Sequence, residues 1–170
     1  MPTLPHTGLQ TPDQPRYEVT AYRELTLRRG FPFKATLSHG RVTIGSAENH
    51  GTGDDTEFVP RKDFNAADFE RFADACRLNG RPVSTSLLLD LLVKEYNIAR
   101  ALRAHLRNGR TMVREVTADR TRITANAVMP ETAATRKQLL EALGQPLTLG
   151  AVTEFWNGSN WEPLTGASDS

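Results

Sequence analysis

From Phe31 to Leu37 every second residue is apolar, with Pro32, Lys34 and Thr36 between them. Successive strand side chains point to opposite faces, so this run predicts a half-buried β-strand. Ser38-His39-Gly40 reads as a hairpin turn, and Arg41-Val42-Thr43-Ile44 as the returning strand. The hairpin flows into a loop rich in Gly, Asn, His and Asp: Gly45, then Asn49-His50-Gly51-Thr52-Gly53-Asp54-Asp55. Such residues tolerate unusual backbone angles and can turn polar groups toward a ligand.

The neighbouring segments extend this pattern. Tyr17, Val19 and Ala21, then Leu25 and Leu27, alternate with polar residues, and Glu57-Phe58-Val59 makes a short strand ended by Pro60. A helix is expected after Asn65 as N-cap, with Asp68 in its first turn and Phe69, Phe72, Ala73 and Cys76 as one buried stripe, stopping near Gly80. Ser84 or Ser86 caps a longer helical region that Asn97 divides into helices over 87–96 and 98–107, ended by Asn108-Gly109. Strands over 111–116 and 122–128 flank the turn Ala118-Asp119-Arg120. A last helix is expected over 131–143, stopping at Gly144, and a small β element over 152–161. The fold class is therefore α+β: a small antiparallel sheet packed on two or three helices, with a basic β-hairpin in the C-terminal half. Pro2, Pro5, Pro12 and Pro15 make 1–15 a flexible Pro-rich arm, 16–162 a single domain and 163–170 a disordered tail.

Composition narrows the functional classes. Hydrophobic residues are 38% of the chain and the mean hydropathy is −0.46. No apolar run approaches the roughly 20 residues of a membrane span, and no signal-peptide pattern opens the chain. Cys76 is the one cysteine, which excludes an intrachain disulfide and a multi-Cys metal site. It reads as a core thiol. No membrane partner and a cytoplasmic location are expected.

Three constellations stand out. The first is the loop of Asn49, His50, Gly51, Gly53, Asp54 and Asp55, whose spacing matches neither a P-loop nor a dinucleotide fingerprint. His50, Asp54 and Asp55 suit a divalent cation or acid–base work, but adjacent carboxylates equally suit a solvated turn. His6, His39, His50 and His105 have no metal-ligand spacing, so no metal, cofactor or catalytic residue is assigned.

The second is basic. Arg100, Arg103, Arg107, Arg110, Arg114, Arg120 and Arg122 are opposed between 100 and 122 only by Glu115 and Asp119, while the whole chain nets +1. Arg100, Arg103 and Arg107 share a helix face. A helix followed by a basic hairpin resembles the helix-and-wing arrangement of winged helix-turn-helix DNA binders, and guanidinium groups suit phosphates and guanine edges. The Gly-Leu-Val step into the wing is absent. The bland reading is a solvated face, or one paired with Asp63, Asp68 and Asp74.

The third is Phe155-Trp156-Asn157-Gly158-Ser159-Asn160-Trp161, a tight hairpin with Trp156 facing Trp161. Tail and fibre proteins of bacteriophages carry a similar turn. The two Trp either face a partner or cover the core.

The run Phe33-x-Ala35-Thr36-Leu37, Gly40, Gly45, Asn49-x-Gly51-x-Gly53, with the later Leu91-Leu92-x-x-Glu95-Tyr96, resembles a pattern in small uncharacterised proteins of phages, plasmids and bacterial genomes, over about residues 20–125. Asp54 stands where a third Gly is expected. The resemblance implies a mobile-element setting and transfers no catalytic residue. The leading expectation is a non-enzymatic DNA- or RNA-binding accessory or regulatory protein. The alternatives are a virion or assembly component contacting a phage or host protein or its own copies, and a small-ligand-binding inhibitor or enzyme using the 49–55 loop.

Overall fold

A computed structural model of the chain describes residues 1–25, 30–128, 137–138, 141 and 152–164. The described elements are mixed α/β, with three small antiparallel sheets and two helices. They divide into two compact units, Met1–Asn97 and Ile98–Ser170, where the sequence reading expected one domain.

In the N-terminal unit, β1 (Leu9–Gln10) precedes β2 (Tyr17–Glu24), β3 (Phe33–His39), β4 (Val42–Asn49) and β5 (Glu57–Pro60). Strands β2 to β5 form a four-stranded sheet in chain order. The β3–β4 hairpin is the one expected from the alternation. His39 pairs with Val42 across Gly40, whose φ of 59° lies in the left-handed region that glycine adopts without penalty. Ala35 and Leu37 are fully buried, whereas Phe31 lies outside the strand and is 89% exposed. Pro32 follows it directly, and a prolyl ring has no N–H to offer a ladder.

Helix α1 (Ala66–Ala75) begins as expected: the Asn65 side chain accepts from Ala67 N. Phe69, Phe72 and Ala73 face the sheet side of the core, where Phe69 stacks on Phe58 of β5 at 4.2 Å and Tyr17 of β2 meets Phe72 edge-on at 4.9 Å. The helix stops at Ala75, short of Gly80. Asn79 and Gly80 (φ 50° and 76°) instead turn the hairpin between β6 (Arg77–Leu78) and β7 (Arg81–Pro82). Positive φ at both central residues is what a type I′ turn demands, and Asn-Gly supplies it.

β6 also pairs with β1, so the N-terminal residues pack rather than form a flexible arm: Leu9 is fully buried opposite Leu78. The Glu95 carboxylate secures them, accepting from the backbone N–H of His6 (3.0 Å) and Thr7 (2.8 Å) and from the Thr7 hydroxyl (2.9 Å). Glu95→Ala removes the charged acceptor and leaves these donors without it, at an expected cost of about 1–3 kcal/mol. The variant is expected to be cut by thermolysin before Leu9 under conditions where the parent resists; equal resistance would show that the Leu9 pairing suffices alone.

Helix α2 (Thr85–Arg107) starts at Ser84, whose hydroxyl accepts from Leu87 N. It runs unbroken through Asn97. Asparagine costs a helix interior no more than about 0.7 kcal/mol, less than the roughly 1.5–3 kcal/mol from burying a side chain such as Ile98 or Leu102. Leu88, Leu89, Leu91, Leu92 and Val93 belong to the N-terminal core, and Ile98 and Leu102 to the second.

The C-terminal unit adds β8 (Thr111–Val116), β9 (Ile123–Val128), β10 (Val152–Trp156) and β11 (Trp161–Pro163) in a sheet of order β11-β10-β8-β9. The expected basic hairpin is β8–β9, but β8 is also paired with β10, so it is a central strand of a sheet. Ile98, Leu102, Met112, Val116 and Ile123 form this core. Pro163 and Leu164, expected in the tail, continue the sheet: Leu164 N donates to Thr153 O. The expected strand residue Leu27, nearly all of the 131–143 helix and residues 165–170 lie outside the described residues.

Candidate nucleic-acid interface

The C-terminal half of α2 is amphipathic by position. At 3.6 residues per turn, Ile98, Ala101, Leu102 and His105 fall on one side and Arg100, Arg103 and Arg107 on the opposite one. Ile98 and Leu102 are buried, and the three arginines are exposed. The helix ends in a Schellman motif: Arg110 N donates to His105 O (3.0 Å) and Gly109 N to Leu106 O (3.1 Å), with Gly109 at φ 65°. The motif turns the chain into β8 and leaves Arg110 exposed beside the helix end.

At the other end of β8 the hairpin tip is organised by Asp119. Its carboxylate accepts from the hydroxyls of Thr117 (2.6 Å) and Thr121 (2.9 Å) and from Thr121 N (3.1 Å). These bonds, the Thr117 hydroxyl first, hold its carboxyl below the usual range. Arg120 is half-buried at φ 59°, and Arg122 is exposed.

Among the described residues, no carboxylate pairs with Arg100, Arg103, Arg107, Arg110 or Arg122. The acids expected to neutralise them belong to the N-terminal unit and interact locally. Asp63 pairs with Arg61 and Asp68 with Arg71, while the Asp74 carbonyl accepts from Arg77.

Arg114 departs from the sequence reading. It is 2% exposed, and its Nε donates to Glu154 Oε2 at 2.7 Å, directly across from it on β10. Its guanidinium lies over the Trp161 ring, 4.3 Å from the centroid. It shares its strand face with Met112 and Val116, so it is a core cation and does not reach an external phosphate. The signal was its place in an apolar strand, Met112-Val113-Arg114-Glu115-Val116, with an acid in the aromatic strand Glu154-Phe155-Trp156.

The Trp hairpin forms as its sequence expects. Trp156 pairs with Trp161, and the rings meet edge-on at 5.4 Å. Asn157 builds the turn, its Oδ1 accepting from Ser159 N and Asn160 N. Both indoles are half-buried against the core, the covering role rather than the outward-facing one.

The Gly-rich loop lies in the N-terminal unit, apart in the chain from the arginine segment. Asn49 knits it together, accepting from Gly51 N (2.8 Å) and donating to Asp54 O and Thr56 Oγ1. Buried Thr56 ties it to α2, its N–H donating to Ser86 Oγ and its hydroxyl to Asp90 Oδ1 (2.5 Å). Burial raises the Asp90 carboxyl, opposed by the Thr56 hydrogen bond and Lys94. A Cβ on Gly51 (φ 72°) would meet Pro32 N at 2.7 Å, and one on Gly30 would meet Gly51 O at 1.8 Å. These two glycines are thus accounted for by the crossing of two backbone segments. His50, Asp54 and Asp55 are exposed, and among the described residues no group of three potential metal ligands occurs. No described helix is long and apolar enough to cross a membrane.

Sequence reasoning did not identify Glu154, Glu95, Thr56 or Asp90, because each acts through a partner distant in the chain. No family model matches the chain, nor does any curated protein or solved structure.

Proposed function

We propose that the chain is a non-enzymatic nucleic-acid-binding protein of the accessory or regulatory kind carried by phages and plasmids. The observation that carries this reading is the exposed, carboxylate-free row of Arg100, Arg103 and Arg107 on the face of α2 opposite its core side, continued by Arg110. Four cations that no described acid neutralises repel one another, and that repulsion is relieved when a polyanion binds. The order helix, turn, hairpin keeps the likeness to a helix-and-wing module, with Arg122 at the hairpin tip as an outlying phosphate contact. Arg114 has no part in the interface, and Arg120 is a lesser contributor. The virion-component reading is less favoured: the N-terminal segment and both Trp, its proposed docking elements, are packed within their own units.

The test is fluorescence anisotropy of labelled nucleic acid titrated with the full chain at several salt concentrations. Binding in the micromolar range or tighter, weakening as salt rises, is expected. Replacing Arg103 and Arg107 together by alanine should weaken binding and lower the slope of log K against log salt by about 2. An unchanged slope would remove α2 from the interface.

A further inference from the structure

We infer that the arginine face grips the phosphate backbone of a double helix with little regard to base sequence, and does not hold single strands by stacking their bases. The inference rests on the reading above and names its ligand. Proteins that hold single strands join a basic groove to exposed aromatic rings on which bases stack. The C-terminal unit has only three Phe, Tyr or Trp residues in its sequence: Phe155, Trp156 and Trp161. Phe155 is 2% exposed, and the two indoles are spent on each other, on the core and, for Trp161, on the Arg114 guanidinium. The ring nearest the row along α2, Tyr96, lies one turn before Arg100 and is half-buried against the N-terminal core.

Charge spacing supports a duplex. Arg100 to Arg107 covers about 10 Å of helix axis at ~1.5 Å per residue. One strand of a double helix rises ~3.4 Å per phosphate as it winds round the axis, so a row of this length lets the long arginine side chains reach more than one phosphate of the strand. Apart from the arginines themselves, whose guanidinium groups also fit guanine edges, the outer side of α2 offers little for base readout. Ala104 lies between the arginines, and the Asn108 amide donates to Ala104 O. Among the described residues of α2 from Ile98 on, no carboxylate stands on that side to accept from cytosine.

The experiment uses the full chain with four labelled probes of equal length: two duplex DNAs of unrelated sequence, one duplex RNA and one single-stranded DNA. Intrinsic tryptophan emission is followed alongside anisotropy. The two DNA duplexes are expected to bind within about threefold of each other and the single strand at least tenfold more weakly, with tryptophan emission unchanged. The ratio of duplex DNA to duplex RNA then identifies the preferred helix form. A single strand bound as tightly as a duplex, or tryptophan quenching on binding, overturns the inference while leaving nucleic-acid binding in place. A tenfold preference between the two DNA duplexes overturns its sequence-independence. Binding to none of the probes at low salt overturns the proposed function itself, and this inference with it.

Discussion

Glu154→Ala is expected to destabilise the C-terminal unit by about 3–5 kcal/mol, because it breaks a buried ion pair by removing one partner. The Arg114 side chain is 2% exposed and that of Glu154 12%, so water replaces little of the lost partner. The Trp161 ring over the guanidinium supplies a second, weaker attraction, about 2 kcal/mol where desolvated, and cannot substitute for a carboxylate. The effect belongs to breaking the pair, not to having one. Arg114→Met with Glu154→Leu removes both charges and keeps most of the volume, and it should lie near the parent or above it in stability. Urea unfolding followed by tryptophan emission reads both variants, since the chain's two tryptophans sit in this unit. A loss under about 1 kcal/mol for Glu154→Ala would mean that Arg114 swings out to solvent, which would return it to the candidate phosphate contacts.

Phe69→Ala is expected to cost the N-terminal unit about 3–5 kcal/mol. The ring is fully buried and stacks on Phe58 at 4.2 Å, with Tyr17 at 5.8 Å and Phe72 at 5.9 Å around it. Its removal takes away apolar area and opens a cavity between β5, β2 and α1 that three rigid rings fill poorly. Phe69→Leu keeps much of the volume and should lose less. Thermal unfolding followed by far-ultraviolet circular dichroism compares them. Equal losses for the two variants would show that the ring stacking, not the filled volume, is what counts.

The features legible in the sequence are the locally encoded ones. Asn65 and Ser84 cap their helices because a cap needs one side chain and a backbone N–H two or three residues on. The β3–β4 and β10–β11 hairpins follow from alternation and short turns. The arginine face was legible because a helix repeats every 3.6 residues. What escaped depends on contacts across the chain. Residues 1–15 carry the prolines of a flexible arm, yet Glu95 and Leu78 hold them. Asn97 carries a breaker's propensity, yet burial on either side of it wins. Arg114 looked like its neighbours until Glu154, forty residues on, paired with it. Gly51 suggested a ligand cradle, and its neighbour is instead the backbone at Pro32.

The passage of α2 through both units has a practical consequence. The single cysteine, Cys76, is fully buried in the N-terminal core, and burial pushes its thiol up to about 12. A thiol reagent therefore reacts only as fast as that unit opens. A ligand seated on Arg100, Arg103 and Arg107 binds residues at the other end of α2, in the C-terminal unit. If it slows the modification of Cys76, the helix transmits stabilisation from one unit to the other. The ratio of the rates with and without ligand measures that transmission as a free energy, using a label the chain already carries.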